Sequence, residues 1–189
     1  LGADTDVPAG DIGVGAREVG FMAGMMKRLV NNSSCVFTGK GLSYGGSLMR
    51  PEATGFGTVY FAQEMLRRVG RGFEGATVSV SGSGNVAQYA IEKACFLGAK
   101  VVTASDSGGT VYLPQGFDEE SLAALLVLKN ERRGRLSEFA AERGLQFEAG
   151  RRPWHIPVDI ALPCATQNEL DESDARALVN NGVFCVAEG

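Results

Sequence analysis

Very little in this sequence points to metal, disulfide or membrane chemistry. Its 189 residues include a single histidine, His155, and its four cysteines stand far apart. Cys35, Cys95, Cys164 and Cys185 form no CxxC pair and have no histidine cluster beside them. A zinc site or disulfide framework is therefore not expected, and reduced thiols of the cytoplasmic kind are. No apolar run approaches the ~20 residues of a membrane span. Positive charge is also scarce: 18 Lys and Arg stand against 22 Asp and Glu, a net charge of −4. Neither nucleic acid nor membrane is expected as a partner.

What is present is ordinary globular composition, 44% hydrophobic and 21% charged, which argues against disorder. Glycine is the exception: 26 of 189 residues is about twice the average share. These glycines follow no period and sit among apolar runs, as in a backbone of tight turns and close approaches. The chain starts at Leu1 with no initiator Met or signal peptide, and its last strand runs into Gly189. It is read as a piece of a longer protein.

Residues 4–15 (DTDVPAGDIGVG) read as a loop. A helix follows on the spacing of Val19, Met22, Met26 and Leu29, then a short apolar run at 35–38. The glycine-rich stretch 39–47 is the natural hinge, dividing 1–47 from 48–189. Beyond it, Val59, Ala62, Leu66 and Val69 mark a helix ending at Gly70. Strands are expected at 76–81, 100–105, 158–162 and 183–186. Between them, Val86, Ala90, Ala94 and Leu97 predict a helix stopped by Gly98. Asp118 predicts an N-cap with Phe117 and Leu122 as a staple, over a helix carrying Leu122, Leu125, Leu126 and Lys129. A shorter helix runs from Leu136 to Gly144, and Asp171 caps another. This alternation predicts an α/β fold with a parallel sheet.

The strand at 76–81 runs straight into Gly82-Ser83-Gly84-Asn85-Val86-Ala87, a G-x-G-x-x-A turn opening a helix. Gly82 permits the tight turn, Gly84 lets a pyrophosphate reach the backbone, and Ala87 lets helix pack on strand. Asp106 lies 24 residues past Gly82, near the ~20 at which an acid meets a ribose. A crossover whose glycines only pack would share the bare pattern. Ser107, with Lys129 and Arg132 three apart, can surround a phosphate or form a solvated helix end.

Three further segments carry chemistry. Asp11, between Gly10 and Ile12, is a proton donor or acceptor if it lines a cleft, or else an Asx-turn acid. Thr54, in RPEATG, can offer a hydroxyl to a ligand, while Glu52 complements a helix dipole. Pro163–Asn168 follows a buried strand at the end where α/β sheets bind ligands. Cys164 has no neighbouring His to activate it. Trp154 and His155, between Pro153 and Pro157, read as an ordered surface loop.

DTDVPAGDIGVG, FTGKGLSYGGSLMRPEATGFG, VSVSGSGNVAQYAIEKA and DIALPCATQNEL together resemble the NADP-specific glutamate dehydrogenases of the hexameric Glu/Leu/Phe/Val dehydrogenase family. The resemblance covers essentially the whole chain. It implies the end of a substrate domain followed by a Rossmann-type parallel sheet with helices on both faces. It also implies a cytoplasmic homohexamer of nitrogen assimilation that interconverts L-glutamate with 2-oxoglutarate and ammonia, using NADP. By this likeness Asp11 is the catalytic acid/base and Gly10 its substrate-contacting neighbour. Thr54, Gly82, Ser83, Gly84, Asn85, Val86 and Asp106 match cofactor contacts, as do Ala165 and Thr166 on the nicotinamide side. Ser107, Lys129 and Arg132 resemble a 2′-phosphate pocket. The family's lysines would lie upstream of Leu1 and further contacts beyond Gly189, so no glutamate turnover is expected of the 189 residues alone. A dinucleotide-binding module without turnover and a branched-chain or aromatic amino-acid dehydrogenase are the alternatives.

Overall fold

The structure, a computed structural model, describes residues 2, 4–31 and 36–189. It divides into two compact units, one up to Pro51 and one from Glu52 to Gly189.

In the first unit, helix α1 (Ala16–Val30) buries Val19 and Ala23, which pack with Phe37 and partly with Met26. Met22 and Leu29, expected on the buried stripe, are instead 37% and 72% exposed. The stripe is narrow because only small and central positions meet Phe37. Glu18 accepts from the Gly15 backbone N–H and from Arg17, which holds its carboxyl at about 2. Of the expected run 35–38, Cys35 lies outside the described residues, and Val36–Thr38 is not a strand.

The second unit opens with α2 (Ala53–Arg67), which buries Val59, Ala62 and Leu66. Val69, expected to continue that stripe, falls beyond the helix and is 69% exposed. Next come β1 (Thr77–Val80), α3 (Asn85–Phe96), β2 (Lys100–Val101) and β3 (Thr103–Asp106). They are followed by β4 (Gly109–Tyr112), α4 (Glu119–Leu126), a π-turn at Val127–Arg132 and α5 (Leu136–Arg143). The chain continues through β5 (Gln146–Ala149), β6 (Ile160–Leu162), α6 (Glu172–Asn180) and β7 (Cys185–Val186). The caps are where the side chains put them. Asp118 accepts from the Ser121 N–H at 2.8 Å and Asp171 from the Asp174 N–H at 2.9 Å. Gly98 and Gly144 stop their helices at φ +85° and +64°.

Four strands form a parallel sheet in the order β2-β1-β6-β7, with Val78 opposite Val101 on one side and Ile160 on the other. Val78, Val80, Ile160 and Leu162 face the main core, with α2 and α3. Ala161 faces Trp154 and Leu178 of α6 on the opposite side. Fully burying each such aliphatic side chain contributes roughly 1.5–3 kcal/mol.

Two expectations are corrected here. The strand expected at 100–105 breaks at Val102 into β2, which pairs with β1, and β3, which joins an antiparallel sheet in the order β3-β4-β5. Thr103 makes the break possible: its hydroxyl accepts from the Val80 N–H at 2.9 Å and donates to the Val80 carbonyl at 3.0 Å. A side chain thus replaces the missing ladder bonds. The expected Trp154–His155 surface loop is a 3-10 turn (Pro153–His155) with Trp154 only 1% exposed. The small Ala161 beneath it leaves room for the indole.

Candidate functional site

In the parallel sheet, β1 lies between β2, which follows it in the chain, and β6, which comes much later. Strand order reverses there, and such a reversal opens a crevice beyond the carboxyl ends of the strands. Two loops flank it: the Gly82 turn after β1 and residues 163–168 after β6.

Gly82 stands at φ +86°, and a Cβ there would be 2.6 Å from the Cys164 carbonyl oxygen. Both the backbone conformation and the close approach exclude a side chain. The turn is held on its other flank by Ser105, whose hydroxyl accepts from the Gly82 N–H at 2.8 Å while its own N–H donates to the Gly82 carbonyl. Ser83 is buried, and its carbonyl accepts from Gln88 Nε2 at 2.8 Å. Gly84 caps α3 without a side chain, and a Cβ built on it would meet nothing within 4 Å. Gly84 and Asn85 are exposed, and Val86 is partly so. The first turn of α3 therefore presents its backbone amides to open space, the arrangement that binds phosphate. This opening fits a dinucleotide pyrophosphate.

Thr54 is exposed at the start of α2, beside this turn. The neighbouring Gly55 brings the two helices together: a Cβ there would be 2.5 Å from the Val86 carbonyl oxygen. Ala165 and Thr166 lie on the facing loop, half-buried and exposed respectively. Cys164 beside them is buried, and loss of solvation pushes its thiol up to about 12, with Glu169 and Glu188 adding to the effect. A thiol held protonated is no nucleophile.

The end of β3 is more elaborate than spacing suggests. Asp106 Oδ1 accepts from the Gly108 N–H at 2.8 Å, and Oδ2 from the Leu136 N–H at 2.9 Å. Lys129 Nζ lies 3.8 Å from Oδ2 and donates to the Gly134 carbonyl at 3.0 Å. The acid is thereby committed to the start of α5, with a cation beside it. Arg132 has partners of its own. Its guanidinium donates to both Glu142 oxygens, at 3.0 and 2.7 Å.

Arg135 takes the place beside Ser107, donating to its hydroxyl at 2.8 Å. It is carried there by Arg133, left-handed at φ +56°, and by Gly134, whose N–H donates to the Leu128 carbonyl. A Cβ on Gly134 would lie 2.5 Å from Leu128 Cδ1. Sequence reasoning missed Arg135 because it sits three residues past Arg132, beyond the residues that the helical spacing marks. Gln88 and Asn130, also missed, exchange amide hydrogen bonds at 3.2 and 3.0 Å and tie α3 to the π-turn.

Gly10 and Asp11 belong to the first unit. Both are exposed, in a turn where the Val14 N–H donates to the Asp11 carbonyl at 2.9 Å. Among the described residues, no cluster of three or more His, Cys, Asp or Glu is arranged to hold a metal ion. No described helix is long and apolar enough to cross a membrane.

An open parallel sheet with a glycine turn at its switch point defines an α/β protein that takes its ligand at the carboxyl ends of the strands. The chain belongs to the Glutamate/Leucine/Phenylalanine/Valine dehydrogenase family, whose profile matches residues 45–189. It is 68% identical over all 189 residues to the NADP-specific glutamate dehydrogenase of Haemophilus influenzae, covering 42% of that protein. Glutamate dehydrogenase of Plasmodium falciparum superposes with a TM-score of 0.85 at 46% identity, over 97% of this chain and 40% of the other. The hetero-hexameric glutamate dehydrogenase of Thermus thermophilus, in a Leu-bound form, superposes with a TM-score of 0.71 at 26% identity, over all of this chain and 42% of that one. The chain thus spans about two-fifths of the length of the curated relatives it matches.

Proposed function

We propose that this chain is part of an enzyme catalysing the reversible NADP-dependent oxidative deamination of L-glutamate to 2-oxoglutarate and ammonia. The observation that carries the reading is the Gly82 turn: an open, uncapped helix start at the switch point of a parallel sheet, in a chain 68% identical to an NADP-specific glutamate dehydrogenase. NADP supplies hydride transfer when bound. The domain is of the Rossmann type, with residues 48–189 forming the start of the dinucleotide domain and 1–47 the end of the substrate domain.

In this reading the amides of Gly84, Asn85 and Val86 hold the pyrophosphate, with Gly82 and Ser83 shaping the turn and Thr54 at its edge. Ser107, Lys129 and Arg132 lie around the 2′-phosphate, and we add Arg135 on its 2.8 Å bond to Ser107. Asp106, which resembles the ribose-binding acid of NAD enzymes, instead holds two backbone amides and Lys129. Its charge is locally compensated, which makes an acid at this strand end compatible with a 2′-phosphate. Ala165 and Thr166 face the nicotinamide. Asp11 moves protons at the substrate amino group, with Gly10 beside the substrate. The family resemblance leads to a cytoplasmic homohexamer working in nitrogen assimilation; one relative is a hetero-hexamer, and light scattering on the full-length enzyme tests the assembly.

The chemical assignment is tested by Asp11→Asn in the full-length enzyme. The amide keeps the shape but carries no transferable proton, so kcat is expected to fall by roughly 10²–10⁴-fold with NADPH affinity unchanged. An increase in KM for glutamate alone would make Asp11 a binding residue.

A further inference from the structure

The carboxyl-end crevice contains one buried acid that the cofactor reading does not use. Glu169, on the loop between β6 and α6, is 6% exposed. Its Oε2 accepts from the Ser81 hydroxyl at 2.6 Å. Ser81, the last residue before the glycine turn, also accepts from the Cys164 N–H at 3.1 Å. The Ala165 backbone N–H favours the charged form of the same carboxyl group. Arg152 donates to the Glu169 backbone carbonyl and thereby fixes the loop from outside.

Glu169, on the β6 side, is therefore bonded across the crevice to Ser81 on the β1 side, and the Ser81 hydroxyl is bonded back to the Cys164 N–H on the β6 side. The walls have no slack between them, since Gly82 already approaches Cys164 too closely to accommodate a methyl group. We propose that Glu169 is a positioning residue for the cofactor cleft, a clamp that sets the distance between the phosphate-binding turn and the nicotinamide-side loop. The proposal rests on the cleft assigned above and deepens it. Burial pushes the Glu169 carboxyl up, while Ser81, the Ala165 N–H and Arg152 pull it down and Glu188 pushes it further up. A carboxyl retained in so unfavourable a place, bonded to the opposite wall through Ser81, has its role in that bond. A single fully buried bond would serve stability equally well through an apolar pair.

The test compares Glu169→Gln, Ser81→Ala and the double variant with the parent, all in the full-length enzyme. The readouts are NADPH dissociation by nicotinamide fluorescence, KM for 2-oxoglutarate, and amide hydrogen exchange at Cys164 and Ala165 without cofactor. Each single variant is expected to weaken NADPH binding about tenfold, the cost of one charge-assisted hydrogen bond. The double variant is expected to be no worse than the weaker single, because both cut the same link. The 2-oxoglutarate KM should stay within about twofold, and exchange at the two amides should quicken. Additive losses, or equal increases in both constants tracking a lower Tm, would overturn the clamp in favour of a general packing role. Arg135→Ala serves as the control on the cleft itself. If it weakens NADPH binding and Glu169→Gln does not, the clamp is wrong and the cleft stands; if neither does, both are wrong. Should Glu169→Gln fail to fold, an unchanged NADPH affinity in Ser81→Ala overturns the clamp by itself.

Discussion

The two regions of the second unit proposed to hold phosphates are built on opposite principles. At Gly82–Val86 the groups offered are backbone amides, positioned by a left-handed glycine at φ +86° and by a helix start with no capping side chain. Around Ser107 the groups are side chains, Lys129 and Arg135, delivered by a π-turn, a left-handed arginine and a glycine pressed on Leu128. The first region depends on the absence of side chains and the second on their exact placement. Backbone sites therefore fail abruptly when an atom is added, and side-chain sites degrade in steps.

Gly82→Ala gives the largest expected effect. It combines positive φ with a Cβ 2.6 Å from the Cys164 carbonyl oxygen, and strain of this kind is of order 1–3 kcal/mol or more. NADPH and NADH binding should fall together, by between about tenfold and a hundredfold. A variant that lost affinity for one of the two alone would show that the turn does not hold their shared pyrophosphate.

Next in size is Arg135→Ala. It should lower the NADP/NAD ratio of kcat/KM by roughly tenfold and leave NAD kinetics nearly unchanged. Arg132→Ala should have the smaller effect, because its guanidinium already holds both Glu142 oxygens. Equal losses in the two variants would mean that Arg132 leaves Glu142 when NADP binds.

Salt separates the regions more gently. Arg135 is exposed and Lys129 partly so, so a rise in ionic strength from about 0.05 to 0.5 M should reduce the NADP/NAD ratio a few-fold. A ratio insensitive to salt would place the 2′-phosphate in a dry pocket.

The smallest effect lies at two helix N-caps, which bond only within their own first turns. Asp118 is held below the ordinary carboxylate value by its bonds from Ser121, and Asp171 by the Asp174 N–H and the Ser173 hydroxyl. A depressed native pKa contributes stability above the unfolded value, and that stability is lost as pH falls through the native one. Asp118→Asn should therefore lower Tm at pH 7, and the difference from the parent should close as pH falls through and below the ordinary carboxylate range. A constant difference across that range would show that the cap acts without its charge.

Much of the second unit was legible from residue type. Asp118, Asp171, Gly98 and Gly144 announce helix ends by local chemistry alone, and the glycine turn between a strand and a helix needs no distant partner to be recognised. The splitting of residues 100–106 into β2 and β3 was not legible, because it depends on the Thr103 hydroxyl meeting Val80 across the sheet. Nor was Trp154, whose burial depends on the small Ala161 beneath it.

By itself the sequence determined most of the helices, their caps, the strands of the parallel sheet and the backbone turn, since each follows from periodicity, steric freedom or hydrogen bonding within a few residues. The tertiary structure alone decided that Arg135 stands beside Ser107, that Asp106 caps a helix, and that Glu169 joins two loops. Those pairs lie 28, 30 and 88 positions apart, and a side chain's partner across such a separation is chosen by how the elements pack, which no local propensity encodes.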